Sequence, residues 1–138
     1  MLVIDASAIV EVLTVDPADI VDLAHRVYDA EWLSAPDLVD YEVLNVLRKL
    51  LLGGHIDDEL AESSRQAWRD LRLVRYPMTE QLAERAWWLR HNATAYDAAY
   101  VALAESLDVP LVTTERRLDQ GLRQLSATDI ESYVVSQR

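Results

Sequence analysis

The chain has 138 residues, 51% hydrophobic and 27% charged, enough for one domain with a sizeable core. It contains no cysteine, which excludes disulfides and thiolate metal sites, and no apolar run approaches the roughly 18 residues of a membrane span. A net charge of −11 opposes the binding of bare nucleic acid, so such a ligand would need divalent cations or a basic partner to offset it.

In chain order, Leu2-Val3-Ile4 is a short apolar run that closes on Asp5 and passes directly into a helix over 6–14. Pro17 opens a second helix through Tyr28, and Trp32-Leu33-Ser34-Ala35 forms a second strand, closed by Pro36. The strongest helix runs over 38–52 and stops at Gly53-Gly54. Val39, Val43, Val46, Leu47 and Leu50 make its core face, while Glu42, Asn45 and Lys49 form one polar stripe. A helix from Asp57 to near Leu71, a strand at Leu73-Val74-Arg75-Tyr76 and a helix over 79–90 follow. A helix over 95–107, rich in alanine, leads to a fourth strand at Leu111-Val112-Thr113, and a short helix covers 115–122. A fifth strand is expected within 128–134, against the poor strand formers Asp129 and Glu131.

Near-continuous apolar strands alternating with helices indicate a parallel sheet covered on both faces, hence a three-layer α/β/α sandwich with four to five strands. Few Gly and Pro, no repeat and no linker leave no internal boundary, so one domain over 1–138 is expected. No leader pattern precedes the first strand, and a cytoplasmic protein with no membrane association is expected.

Four acids occupy related places. Asp5 and Glu115 each follow a strand, Asp97 lies in the first turn of a helix, and Glu42 is on the polar stripe. In a parallel sheet the carboxyl ends of the strands share one edge, and several carboxylates there without intervening Lys or Arg call for a cation. Oxygen-only ligands select Mg²⁺ or Mn²⁺. Each acid also has a plainer explanation. Asp5 caps the following helix, Thr94 to Asp97 fits a capping box, Glu115 favours a helix dipole, and Glu42 is solvated or paired with Lys49. His25, His55 and His91 lack paired ligand spacing. Trp87-Trp88 offers a base-stacking surface, or one ring in the core and one at an interface.

The chain resembles the PIN-domain ribonucleases, and in particular the VapC-type toxins of bacterial toxin-antitoxin pairs. The resemblance is carried by Val3-Ile4-Asp5-Ala6-Ser7, by Tyr41-Glu42-Val43-Leu44-Asn45-Val46-Leu47-Arg48, by Ala95 to Ala104, and by Pro110-Leu111-Val112-Thr113-Thr114-Glu115-Arg116-Arg117-Leu118. It implies a strand order of 3-2-1-4-5, which makes strands 1 and 4 neighbours. The family's acidic positions fall on Asp5, Glu42, Asp97 and Glu115, where Glu115 replaces the more usual Asp. It further implies metal-assisted hydrolysis of phosphodiester bonds in single-stranded or structured RNA with one or two Mg²⁺ or Mn²⁺ ions. Asp5 and Asp97 are then the core ligands, Glu42 a ligand or water-orienting base, Glu115 an outer contributor and Asp119 a substitute ligand. Ser7, Asn45 and Thr113 support this set. From the residues themselves, Arg116 and Arg117 either hold phosphates beside the site or form solvated pairs with the neighbouring acid. A cognate antitoxin and a homodimer are the implied partners.

Two rival readings stand beside this one. A PIN-like scaffold that no longer cuts would act by binding alone, a reading that the Glu115 replacement keeps open. An Asp-nucleophile phosphatase or receiver-type domain would use Asp5 as the phospho-acceptor. The former would place an Asp where this chain has Ser7, and the latter a Lys at a strand end, whereas the chain's single lysine, Lys49, is inside a helix.

Overall fold

The first strand, β1 (Leu2–Ile4), has all three side chains shielded from solvent, as a strand covered on both faces requires. In the computed structural model, which describes residues 1–135, β1 is the centre of a five-stranded sheet. The other strands are β2 (Leu33–Pro36), β3 (Leu73–Tyr76), β4 (Leu111–Thr113) and β5 (Ile130–Ser132). Their order is β3-β2-β1-β4-β5 and every pairing is parallel, with Leu2 beside Leu33 and Val3 beside Leu111. The last three residues of the 1–138 domain expected from the sequence lie outside the described residues.

Helices complete the three-layer α/β/α sandwich. They are α1 (Ala6–Thr14), α2 (Val21–Tyr28), α3 (Val39–Leu52), α4 (Asp58–Asp70), α5 (Glu80–Trp88), α6 (Ala95–Leu107) and α7 (Arg116–Leu122). α1 packs against α2, α3 and α4, whereas α5 packs on α6, which lies along β1 and β2. Ala98, Ala99, Ala102 and Ala104 are all buried, so α6 presents small side chains that let its backbone approach its neighbours closely. The helix ends at Asp108, in the left-handed conformation at φ 54°, which Asp tolerates better than most residues. α7 is seated against the 91–92 turn at Gly121, where a Cβ would come within 2.8 Å of the Asn92 carbonyl oxygen.

Two segments differ from the sequence expectation. The helix expected from Pro17 is split: Asp16 caps a 3-10 turn (Pro17–Asp19) by accepting from the Ala18 amide at 2.9 Å. Ile20 is then drawn into the core with ψ 47°, outside the helical range, before α2 begins. β5 forms despite Asp129 and Glu131 because tertiary contacts override propensity. Its ladder to β4 is made, and Glu131 accepts two hydrogen bonds, at 2.7 and 3.0 Å, from the Arg26 guanidinium on α2. Among the described residues no helix is long and apolar enough to cross a membrane.

Candidate active site

The chain runs from β1 outward to β2 and β3 and returns on the other side of β1 as β4. The gap beyond the carboxyl ends of β1 and β4 is therefore the topological switch point, where open α/β sheets form a crevice. Asp5 follows β1 there, and Glu115 follows β4 after one more residue. Asp5 caps α1 and also lines this crevice. Its Oδ1 accepts from the Ala8 amide at 3.0 Å and from the Ser7 hydroxyl at 2.8 Å. Its Oδ2 accepts from the hydroxyl of Thr113, the last residue of β4. Thr113 is itself held from the other side, its oxygen accepting from the Glu115 amide at 2.9 Å. Asp5 is 4% exposed, and burial pushes its carboxyl up to about 6 against the pull of Thr113, Ala8 and Ser7, with the Glu115 charge adding to the rise.

A cleft of about 180 Å³ opens over Asp5 and Ser7. On one wall, helical spacing aims Glu42, Asn45, Val46 and Lys49 of α3 into it. Val46, counted with the core from sequence, is half-buried here while Val39, Val43 and Leu47 fill the core. The hydroxyl of Tyr100 on α6 donates to Glu42 Oε1 at 2.6 Å. Burial raises the Glu42 carboxyl above its ordinary range, Tyr100 opposes the rise and the Asp97 charge adds to it. Sequence reasoning misses Tyr100. It is 1% exposed and lies one turn before Ala104 on the buried helix, so its sequence signal is that of a core aromatic.

Asp97 and Arg117 face the cleft from α6 and α7. The Thr94 hydroxyl oxygen accepts from the Asp97 amide at 3.2 Å, so half of the expected capping box is formed. The Asp97 carboxylate turns instead into the cleft, with Arg117 Nη2 3.6 Å away. Burial raises its carboxyl, Arg117 opposes that and Glu115 adds to it. Glu115 is the N-cap residue of α7 without a side-chain capping bond, and its carboxylate also lines the cleft.

The remaining expected residues separate. Asp119, one turn into α7, does not line the cleft; it borders a different depression and pairs with Arg123 at 2.7 Å. Arg116 borders that same depression, whereas Arg117, some 100° further round the helix, reaches the cleft. Glu115 borders both the cleft and that depression, so Asp119 and Arg116 stand beside the cleft and not in its lining. Thr113 supports Asp5 from the sheet without lining the cleft. Trp87 and Trp88 are both exposed, at 69% and 60%, because Leu89 takes the core position at the end of α5. Each carries a guanidinium over its ring, Arg90 over Trp87 at 4.8 Å and Arg85 over Trp88 at 4.7 Å.

The chemistry of the donors suits a hard dication: four carboxylates from four separate segments, no sulfur and no imidazole. Three of the four carry partners that also restrain them, and among the described residues no three acid or histidine groups stand close enough to enclose an ion. The residues fit a divalent metal by type, while their carboxylates stand apart around the cleft.

The family model of the PIN domain matches residues 2–121. Ribonuclease VapC1 of Mycobacterium tuberculosis (strain H37Rv) is 42% identical over 116 residues, 84% of this chain and 86% of that protein. Ribonuclease VapC9 of the same strain is 41% identical over 129 residues, covering 93% and 97%. Among solved structures, VapBC2 from Rickettsia felis bound to a DNA fragment from their promoter shares the fold, with a TM-score of 0.68 at 12% identity over 96% of this chain and 98% of that one. With its parallel 3-2-1-4-5 sheet and its match to these ribonucleases over most of their length, the chain belongs to the PIN-domain family, in the VapC group.

Proposed function

We propose that this protein is a divalent-metal-dependent endoribonuclease, the toxin of a toxin-antitoxin pair, which hydrolyses phosphodiester bonds in single-stranded or structured RNA. The observation that carries this reading is the meeting of Asp5, Glu42, Asp97 and Glu115, from four elements, in one cleft at the switch point of the sheet. Its ribonuclease relatives support the substrate class.

Asp5 and Asp97 would hold one or two Mg²⁺ or Mn²⁺ ions, with Glu42 and Glu115 beside them. When bound, the metal supplies a Lewis acid that lowers the pKa of water and neutralises charge on the phosphate. Ser7, Ala8 and Thr113 keep Asp5 in one orientation with lone-pair capacity left on Oδ2. Glu42 takes the proton of the attacking water. Its Oε1 is held by Tyr100, and its raised pKa makes it a better proton acceptor than an ordinary carboxylate. Arg117 steadies the phosphate opposite the α3 wall. The excess of negative charge on the remaining surface makes a basic antitoxin segment a suitable partner, and a cytoplasmic homodimer follows from the same reading.

Glu115 in place of Asp, together with the open ligand set, favours one second reading, a PIN-like scaffold that binds without cutting. An aspartyl-phosphate chemistry is disfavoured, because Ser7 stands where a phosphatase-like site would place a second Asp and the chain's single lysine, Lys49, lies inside α3 rather than at a strand end. The deciding experiment incubates the purified protein with total RNA and Mn²⁺ and sequences the new ends. Defined ends that vanish in Asp5→Ala are expected; RNA that is retained uncut by wild type would sink the nuclease reading in favour of the scaffold.

A further inference from the structure

Lys49 is the chain's only lysine, and it stands on the α3 wall of the cleft. Six ion pairs occur among the described residues, each made by an arginine, and none takes in Lys49. An unpaired ammonium is therefore kept at the mouth of an acidic cleft on a chain of net charge −11. The other cation in the cleft, Arg117, comes from α7 and lies against Asp97. The two cations thus enter the cleft from different elements, α3 and α7.

Spacing along α3 gives Lys49 a specific place. Glu42 and Lys49 are seven residues apart on one stripe, so their backbones are separated by roughly 10 Å along the helix axis. That is further than one phosphate group extends, and Asn45 lies between them on the same stripe. A strand whose reacting phosphorus sits at Glu42 must pass Asn45 before a later phosphate meets the ammonium. We propose that Lys49 is a substrate-positioning residue that binds a backbone phosphate of the RNA beyond the scissile one, so that the strand follows α3 from Glu42 towards its C-terminal end. This assignment rests on the ribonuclease reading above. A structural role competes with it, since a lysine in the last turn of α3 also complements the helix dipole.

The test uses fluorescence anisotropy of a labelled, mixed-sequence single-stranded RNA, with Ca²⁺ as the cation, across a KCl titration. Lys49→Gln is expected to weaken binding roughly two- to fivefold at fixed salt, as loss of one exposed charge contact does. The slope of log affinity against log salt should fall by about 0.7, the contribution of one phosphate contact to a single strand. Lys49→Arg should restore the slope. An unchanged slope in Lys49→Gln, with or without a lowered Tm, overturns the proposal and leaves Lys49 as a helix-dipole residue. Cleavage of the same RNA by wild type in Mn²⁺ is scored separately. If wild type neither binds nor cuts, the ribonuclease reading falls and the assignment with it; if it cuts and the slope does not move, only the assignment falls.

Discussion

The Tyr100 hydroxyl donates a 2.6 Å hydrogen bond to Glu42, a residue 58 positions away in the chain, and so joins α6 to the α3 wall of the cleft. The tyrosine is buried and its phenol is held protonated, pushed well above its ordinary range by burial and by its hydrogen bond to the Glu42 carboxylate, so it stands as a donor to Glu42. Removing it leaves Glu42 free to rotate. Tyr100→Phe should keep the fold, with a Tm within a few degrees of wild type, and lower kcat about tenfold with little change in KM, in line with loss of a charge-assisted hydrogen bond. Steady-state cleavage of one RNA by the two proteins checks this; an unchanged kcat would remove Tyr100 from the machinery.

Four carboxylates lining one cleft predict a response to metal. Mg²⁺ or Mn²⁺ at a hundredfold its Kd should stabilise the protein by about 2.7 kcal/mol. Asp97→Asn should abolish most of that gain and at the same time stabilise the metal-free protein, because it removes a charge that raises the Glu42 carboxyl and that is itself raised by Glu115. Thermal melts in EDTA and in Mg²⁺ read both effects. A wild type indifferent to both metals would falsify the metal-site assignment.

The Asp5 carboxyl predicts a pH dependence with a definite sign. Its ordinary value is 3.8 and its value in the fold is about 6, so between about pH 4 and 6 the folded state binds a proton that the unfolded chain has released. Stability in EDTA therefore falls as pH rises through that window, by at most about 3 kcal/mol, and stays low above it. Glu62 and Glu131, whose carboxyls are lowered by arginine partners, act in the opposite direction. The difference between wild type and Asp5→Asn isolates the effect: urea titrations should show the variant gaining on wild type as pH rises from 4 to 6.

Asp40 predicts a stability effect without a catalytic one. Its carboxylate accepts from Trp68 Nε1 at 3.1 Å and from Arg75 Nε and Nη2 at 2.6 and 2.9 Å, and Arg75 lies over the Trp68 ring at 5.1 Å. These contacts tie α3 to α4 and β3. Asp40→Ala leaves the largely buried indole N–H without this acceptor and should cost about 2 kcal/mol. Activity per folded molecule should stay near wild type, as measured by denaturant titration alongside cleavage.

Much of this architecture was legible in the residues themselves. The bounds of the first and sixth helices, Ala6–Thr14 and Ala95–Leu107, and of the strands Leu73–Tyr76 and Leu111–Thr113 follow from apolar runs bracketed by Pro, Asp or polar breaks, which act within a few residues. The polar stripe of Glu42, Asn45 and Lys49 is likewise local, a consequence of 3.6 residues per turn. Residues 17–20 and 130–132 were less legible, because burial of Ile20 and the Arg26 to Glu131 contact operate across the chain.

The sequence by itself determined which residues could do chemistry: oxygen donors, no thiols, and acids at the ends of elements. Only the tertiary structure decided which of them meet. Parallel pairing of β1 with β4 sets the Thr113 hydroxyl on Asp5, 108 positions away. The turn of α7 sends Arg117 into the cleft and Asp119 out of it. The placement of α6 on β1 and β2 brings a core tyrosine within reach of Glu42 on α3 and makes it that residue's partner. Helical and strand periods are properties of neighbouring residues, whereas a shared cleft depends on the register and rotation of elements that are distant in the chain.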